Sequence, residues 1–393
     1  MYTMLLVATP FLMVRNYLQP AIAKLSRFGF ELGGTEIPLV PVTALLTVLV
    51  LLILLRAYLT RARILAAVIV VLMLALGQQI SDYYFADRFY DLQQNWHYIA
   101  YAIFAIMLYR DLSPRGVRPT KIILITFLLG LSFSSIDEAF QFRISLRTFD
   151  MADIAKDVWG TLMGLVLIYV GGTQPAVLLA HFKQVRQPRL RGYLENSHSL
   201  LILLSVLGLL FLCATSLLTD PGYWKLAVCL PLAAFLVFFL LFHMSQVKLV
   251  RYTLLIAALG GLLVQSYFFL RHRTERIVYN RPSLTVYKGI PILFSDAMFF
   301  PNGTFRLVPK KTYFSLRDQR FFLKQKTDII LVGSGSHGEG GRGFPQDAVS
   351  QFLYNPYTQQ GTQVIVLQTP EACRVYNRLR QEGKSVLFIL HNT

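Results

Sequence analysis

Ionisable side chains gather where the surrounding sequence is most apolar. The run Ser135-Ile-Asp-Glu-Ala-Phe-Gln141 closes one apolar segment. Arg143, Arg147 and Asp150 follow, and Asp153, Asp157, Gly160 and Gly164 sit at the start of the next. Upstream, a further segment begins Asn95-Trp-His97 and continues through Tyr101. Asp137 and Gln141 are four residues apart and share a helical face, as do Asp153 and Asp157. The two glycines continue that second face and let another helix approach closely. Carboxylates beside a histidine can take and return protons, and an arginine fork binds an anionic group. Three readings stay open. The set is a salt-bridge network that fixes helix register, with Arg147 neutralising Asp137 or Asp153. Or it is a polar pocket for the head group of a ligand. Or it is an acid–base site built on Asp137, Glu138 and His97. A proton relay is a variant of the last. Ionisable groups in such surroundings are costly and seldom incidental. No HExxH or other tight ligand spacing points to a metal, and no cofactor is expected.

The elements that must position these residues are membrane helices. The chain has 393 residues, of which 54% are hydrophobic and 15% charged. Soluble domains carry roughly a quarter charged residues. The deficit falls on residues 1–270, and residues 271–393 have an ordinary soluble composition. The composition excludes a disordered chain, a collagen and a disulfide scaffold, and it argues against a wholly soluble enzyme. Crossing a bilayer takes about 20 apolar residues. Candidate spans are Ile37–Leu55, Ile64–Ile80, Trp96–Tyr109, Ile122–Phe140, Ile154–Val170, Leu200–Leu218, Leu226–Phe242 and Leu254–Leu270. Met4–Ala23, interrupted by Pro10, Arg15 and Pro20, is a ninth candidate or an interfacial segment. The fold expected is therefore a polytopic α-helical membrane protein, with eight or nine transmembrane helices and a C-terminal soluble α/β domain. Its parts are an N-terminal segment (1–36), a polar-bearing helical domain (37–171), a basic connector (172–197), a three-helix anchor (198–270) and the α/β domain (284–393).

The formal charge of +17 suggests nucleic acid at first sight. The basic residues instead flank apolar segments, where they set orientation and meet anionic lipid, so no nucleic-acid partner is expected. Arg56, Arg61 and Arg63; Arg110, Arg115, Arg118 and Lys121; Lys183, Arg186, Arg189 and Arg191; and Lys248 and Arg251 mark one set of loops as cytoplasmic. The tail then emerges on the periplasmic or extracellular side, although Arg271, Arg273 and Arg276 directly after the last span oppose this. Cys213 and Cys229 lie in apolar runs and Cys373 in the tail, too few for a disulfide framework.

The pattern Asp137-Glu138-x-x-Gln141, Arg147, Asp153, Gly160 and Gly164, with His97-x-x-x-Tyr101 upstream, resembles the signature of VanZ-like membrane proteins. Two positions depart from it: an Asp-Lys pair before the histidine is missing, and Asp157 stands where that family commonly has Asn. The resemblance covers about residues 40–171. It implies a multi-helix domain of the bacterial inner membrane and a link to glycopeptide-antibiotic tolerance, without a defined reaction.

In the tail, Leu284–Leu293, Thr304–Leu307, Asp328–Val332, Thr362–Leu367 and Ser385–Leu390 read as strands, and Gln346–Leu353 and Pro370–Gln381 as helices. Tyr313–Leu323 is ambiguous. Thr369 is the expected N-cap of the last helix, with Gly383 ending it. Strands alternating with helices indicate a partly parallel sheet. Gly333-Ser-Gly335-Ser-His-Gly338 matches a dinucleotide fingerprint only formally: no helix opens at the glycines and no acidic residue ends the second strand. It reads as a turn at a strand end, with His337 exposed and Cys373 buried. The stretch from Asp328 to Gly335, together with Thr369-x-x-Ala-Cys-Arg374-x-Tyr376-Asn377 and Glu382-Gly383, resembles the small α/β domain of mitochondrial complex I assembly factor 3 and its bacterial relatives. That resemblance implies assembly or protein-interaction work, with Thr369, Arg374, Tyr376 and Asn377 as a candidate surface. Asn377 and Glu382 are equally readable as helix-end hydrogen-bonding residues.

Three functions follow as expectations. The first is an envelope protein binding a lipid-linked cell-wall or polysaccharide precursor without catalysis. The second is an assembly factor that docks a protein partner through residues 284–393. The third is a membrane acid–base enzyme acting on a lipid-linked substrate. A non-enzymatic role is the preferred expectation, and the lipid bilayer is a partner in all three.

Overall fold

A computed structural model describes residues 28–32, 35–54, 56–81, 92–141, 149–172, 185, 187–219, 221–273, 277–344 and 350–392. The expected segment Met4–Ala23 and residues Arg143 and Arg147 lie outside them. The chain divides into two compact units.

The first unit is helical. Strands β1 (Gly29–Leu32) and β2 (Thr35–Pro38) pair as a hairpin, with Phe30 opposite Ile37. Ile37 is thus in a strand rather than at the start of a span. Helix α1 (Leu39–Leu54) begins past Pro38, which offers no N–H to continue a ladder. Then come α2 (Arg61–Ser81), α3 (Leu92–Leu112), α4 (Pro119–Gln141), α5 (Met151–Tyr169), α6 (Ser197–Leu217) and α7 (Trp224–Met244). Pro119 opens α4, where its missing N–H is not needed. Asp150 caps α5, its Oδ1 accepting from Ala152 N at 2.8 Å.

Among the described residues five helices are long and apolar enough to cross a membrane: α2, residues Pro119–Phe140 of α4, α6, α7 and α8 (Lys248–His272). The other expected spans have physical reasons for falling short. Helix α1 has only 16 residues. Helix α3 opens with the polar Gln-Gln-Asn-Trp-His, and α5 carries Asp153, Lys156 and Asp157 in its first two turns. Yet α5 is the centre of this unit, packed against α2, α3 and α4 and buried almost continuously from Ala152 to Val166. The charged helix is therefore shielded by apolar ones. Its core partners include Met73, Tyr98, Ile123, Phe127, Leu201 and Leu204.

The second unit contains α8, the turn Leu217–Leu226 and the C-terminal domain. Helix α8 has no fully buried residue, and Gln265 Nε2 donates to Gly289 O at 2.7 Å. Strands β3 (Ile277–Arg281), β4 (Leu284–Tyr287) and β5 (Ile290–Leu293) form an antiparallel three-stranded sheet. β6 (Asp296–Phe299), β7 (Phe305–Val308), β8 (Ile329–Gly333), β9 (Ser350–Asn355), β10 (Gln360–Leu367) and β11 (Val386–Leu390) form a six-stranded sheet in the order β7-β6-β11-β8-β10-β9. Only β8 with β10 and β8 with β11 run parallel. Helices α9 (Leu316–Leu323) and α10 (Thr369–Gln381) complete the domain.

The central strands are apolar at every position because both faces are covered. Ile329, Leu331, Val386, Phe388 and Leu390 face a core with Ala372, Cys373 and Tyr376 of α10. Ile330, Val332, Leu387 and Ile389 face a second core with Phe322 and Leu323 of α9. Helix α9 resolves the ambiguous stretch through a capping box: Asp318 N donates to Ser315 Oγ, and Ser315 N donates to Asp318 Oδ2. The expected helix over Gln346–Leu353 is a strand from Ser350 onward. Its alternation of exposed Phe352 and Tyr354 with Leu353 fits the edge of a sheet, and it forms a hairpin with β10.

Candidate functional site

The helical unit brings the sequence-selected residues of α3 and α5 into one buried cluster. His97 Nδ1 lies 2.9 Å from Asp157 Oδ1, and His97 Nε2 lies 3.8 Å from Asp153 Oδ2. Both ring nitrogens therefore face carboxylates, which fixes the imidazole plane. The other Asp157 oxygen accepts from Ser134 Oγ at 2.6 Å. Lys156 Nζ donates to Asp153 Oδ1 at 3.0 Å. Tyr101 lies one helical turn beyond His97 and is buried beside Phe104.

Glycine lets α3 and α5 come this close. A Cβ added to Gly160 would lie 2.6 Å from the Tyr98 carbonyl oxygen, and one added to Gly164 would lie 2.5 Å from that of Ala102. No side chain fits at those distances without moving a helix. Trp159 Nε1 donates to Met73 O at 2.9 Å, and Ser81 Oγ lies 3.1 Å from Tyr98 OH, so α2 is tied to the same pair.

Glu138 is buried at the end of α4, and Asp150 N donates to its Oε2 at 3.0 Å. Asp137, beside it, is half-buried. Gln141 is the last residue of α4, and Arg147 lies outside the described residues, so the expected arginine partner is not part of the described cluster. The buried cation described here is Lys156. Sequence reasoning passed over it and over Ser134, although Lys156 stands between the two chosen aspartates at a spacing that reaches Asp153. Two further groups went unnoticed. Among the described residues the Gln78 amide and the Trp96 indole N–H are buried without hydrogen-bond partners. Buried groups of this kind are uncommon and call for a partner.

The same unit holds an apolar cavity of about 300 Å³. Phe127, Leu131 and Ser135 of α4, Ile154 and Val158 of α5, and residues of α6 and α7 including Pro231 line it. Ser135 Oγ donates to its own helix at Leu131 O, so the wall presents no polar group there. Glu138 lies two turns beyond Leu131 on the same stripe of α4, and Asp150 one turn before Ile154 on α5. Among the described residues no cluster of His, Cys, Asp and Glu has the arrangement of a metal site.

In the second unit the sequence-selected residues act as internal ties. Thr369 is the first residue of α10 rather than its N-cap, a place taken by Gln368. Its Oγ1 is drawn away to accept from Gly335 N and donate to His391 O, each at 2.8 Å. Tyr376 is fully buried and stacks on Phe388 with ring centres 5.0 Å apart. Asn377 clamps the start of β3, accepting from Ile277 N and donating to Ile277 O, both at 2.9 Å. Of the expected surface Thr369, Arg374, Tyr376 and Asn377, Thr369 and Tyr376 are interior, while Arg374 is exposed. Glu382 is the C-cap residue, followed by Gly383 at φ +75°. Gly333 ends β8, and Gly335 at φ +88° turns the chain away, with His337 exposed in the loop. Burial pushes the Cys373 thiol up to about 12, so it stays protonated.

This unit has a buried ionic group of its own, one that no motif announces. Asp296 accepts from Asn392 N at 2.9 Å and lies 2.6 Å from His391 Nδ1. Lys310 Nζ donates to Asp296 Oδ1 at 3.4 Å, Phe294 O at 3.0 Å and Asn392 O at 2.7 Å. These residues are far apart in the chain, and none falls in a motif. The backbone of Lys310 also holds the turn before α7: Lys310 N donates to Leu217 O at 2.9 Å, and Thr219 Oγ1 donates to Lys310 O at 2.7 Å.

Apolar helices with a shielded polar cluster, followed by a mixed-sheet domain, are compatible with a membrane protein that carries a soluble module. Residues 279–391 match the family described as "Protein of unknown function (DUF498/DUF598)". A solved structure titled "MT938" matches at 25% identity, covering 30% of this chain and 98% of its own, with a TM-score of 0.24. No curated protein matches the chain.

Proposed function

We propose that the chain is a multi-pass protein of the bacterial inner membrane whose helical unit binds a lipid-linked envelope precursor. The reading rests chiefly on one observation: an apolar cavity is walled by α4, α5, α6 and α7, and two of those helices, α4 and α5, also carry the buried acids Glu138 and Asp157. An amphiphile has this division of chemistry, with its hydrocarbon in the cavity and its head group at the Glu138, Asp153, Asp157 and His97 end. The resemblance of residues 40–171 to VanZ-like proteins supports an envelope role and a contribution to glycopeptide tolerance. Eight or nine helices cross the bilayer in this reading, with α3 and α5 carried by their apolar neighbours. The C-terminal domain stands on the outer face, opposite the basic loops. The bonds from Lys310 to the α6–α7 turn support that side, since chain order brings the turn and the tail out together.

The test is retention of lipid by the purified protein, read by native mass spectrometry. The wild-type protein should carry a lipid-mass adduct that Val158→Phe, which fills the cavity, releases. An adduct-free wild-type protein, or equal retention by the variant, would count against the reading.

A second reading is favoured by the exposed edge strand β9, with Phe352 73% and Tyr354 69% accessible, and by the resemblance of residues 284–393 to a complex I assembly-factor domain. In it the tail docks a membrane complex during assembly. Asp137→Asn and Arg147→Ala should then leave function intact, whereas removal of residues 284–393 should abolish it. The lipid reading expects loss from the two point changes.

A further inference from the structure

We infer that the outer face of the three-stranded sheet β3–β5 rests on a surface of anionic phospholipid, the leaflet through which α8 emerges; this rests on the part of the reading above in which α8 crosses the bilayer. The register decides which residues form that face. Side chains alternate along a strand, and residues directly opposite on neighbouring strands point the same way. Ile277, Tyr287 and Ile292 point inward, into the core they share with Tyr376 of α10. The other face then sets Tyr279 beside Val286 and Pro291, and Arg281 beside Leu284 and Leu293. It is apolar apart from the arginine, and Tyr279 is 41% and Leu293 55% exposed. A sheet face turned to water carries polar residues at such positions. A contiguous apolar one marks a surface that meets a partner.

Level and charge say which partner. The β4–β5 turn packs on the backbone of α8. Gln265 Nε2 donates to Gly289 O at 2.7 Å, and a Cβ added to Gly289 would lie 2.7 Å from Phe268 O. Phe268 is four residues before the end of α8 at His272, a rise of about 6 Å. In a helix that crosses the bilayer, that level is where hydrocarbon gives way to head groups, and Tyr267 is of the type enriched there. The turn therefore holds the sheet at the height of the lipid surface. Residues 270–295 contain Arg271, Arg273, Arg276, Arg281 and Lys288 against a single acid, Glu275. Arg281 lies over the Tyr279 ring, 5.8 Å from its centre, and Arg271 Nη1 donates to Tyr267 OH at 3.3 Å. Both contacts orient a guanidinium without cancelling its charge. Arginines around an apolar and aromatic face suit an anionic leaflet: lipid phosphates meet the guanidinium groups, and the apolar side chains enter the interface between them.

The experiment uses the full-length protein with Cys213→Ser and Cys229→Ser, labelled with bimane at Leu293→Cys. It is placed in nanodiscs of phosphatidylcholine, or of an equal mixture with phosphatidylglycerol, each with the same share of head-group spin-labelled lipid. Quenching of the bimane should be strong in the mixture and weak in phosphatidylcholine alone, and high salt should reduce it. Arg281→Gln should lower the ratio of quenched to unquenched label about fivefold, the scale of a basic residue at an anionic surface. Equal quenching in the two membranes, whether high or low, would overturn the inference. A second label at Leu262→Cys on α8, read with chain-spin-labelled lipid, checks the reading beneath it. Quenching there without the lipid dependence at Leu293→Cys would overturn the sheet inference alone. Absence of quenching on α8 would overturn the inference and the membrane-crossing reading of that helix together.

Discussion

Each unit buries an aspartate–histidine–lysine group, and the two are built to different ends. In the C-terminal domain, Lys310 has three donors and three acceptors, two of them backbone carbonyls, and Asp296 is met by a lysine, a histidine and a backbone N–H. The group closes on itself and ties β6, the chain end and the α6–α7 turn together. In the helical unit, Asp153 and Asp157 of α5 meet His97 of α3 where glycine brings those two helices into contact, and α5 also walls an apolar cavity. Buried Gln78 and Trp96 groups without hydrogen-bond partners among the described residues lie in the same unit. A satisfied network in a packed core holds a fold, whereas one that opens onto space offers a site.

Breaking the closed network should have the largest effect on stability. Lys310→Met leaves Asp296 without its buried cation, at a cost of about 3 kcal/mol or more. Limited proteolysis of the purified protein should then cut the C-terminal domain while sparing the helices. Survival of the domain at wild-type protease levels would show that the histidine and backbone donors suffice, and would erase the contrast. Next is the helical contact. Gly164→Leu should lower thermal stability by about 1–3 kcal/mol through overpacking against Ala102 and Ala105, and should reduce lipid retention in parallel. Loss of stability with full retention would separate the helix contact from the site. The smallest effect concerns Cys373. Its ionisation is raised by burial to about 12, so folded protein with Cys213→Ser and Cys229→Ser should resist maleimide at pH 8 and react only after denaturation. In linkage terms the folded state gains relative to the unfolded one below the unfolded thiol value. That gain fades as pH rises through the folded one, outside the physiological range.

Much of the helical unit was legible because the signal was local. Length and hydropathy placed α2, α4, α6 and α7, and α8 of the other unit, within a few residues, and the four-residue spacing of Asp153 and Asp157 put both on the face that meets His97. Lys156 was overlooked because a single lysine among aspartates reads as a surface residue. Only the packing of α5 at the centre makes it interior. The strand at 350–355 was misread as helical because its side chains alternate at an edge, where polar Ser350 and Gln351 dilute the pattern. Thr369 had the right residue type and neighbours for a cap. Competition from Gly335 N and His391 O decided otherwise, and no sequence spacing encodes that contact. The Asp296–Lys310–His391 group is invisible for the same reason: its members meet only after the sheet is ordered β6, β11, β8.

The central claim, that the helical unit is a lipid site and not a sealed bundle, is tested most directly by covalent capture. A benzophenone amino acid placed at Phe211, which lines the cavity on α6, would be irradiated in intact cells and the protein analysed by mass. The account predicts an adduct of lipid mass that Val158→Phe suppresses. A protein that yields no such adduct, with the crosslinker reacting only with neighbouring helices, would contradict it.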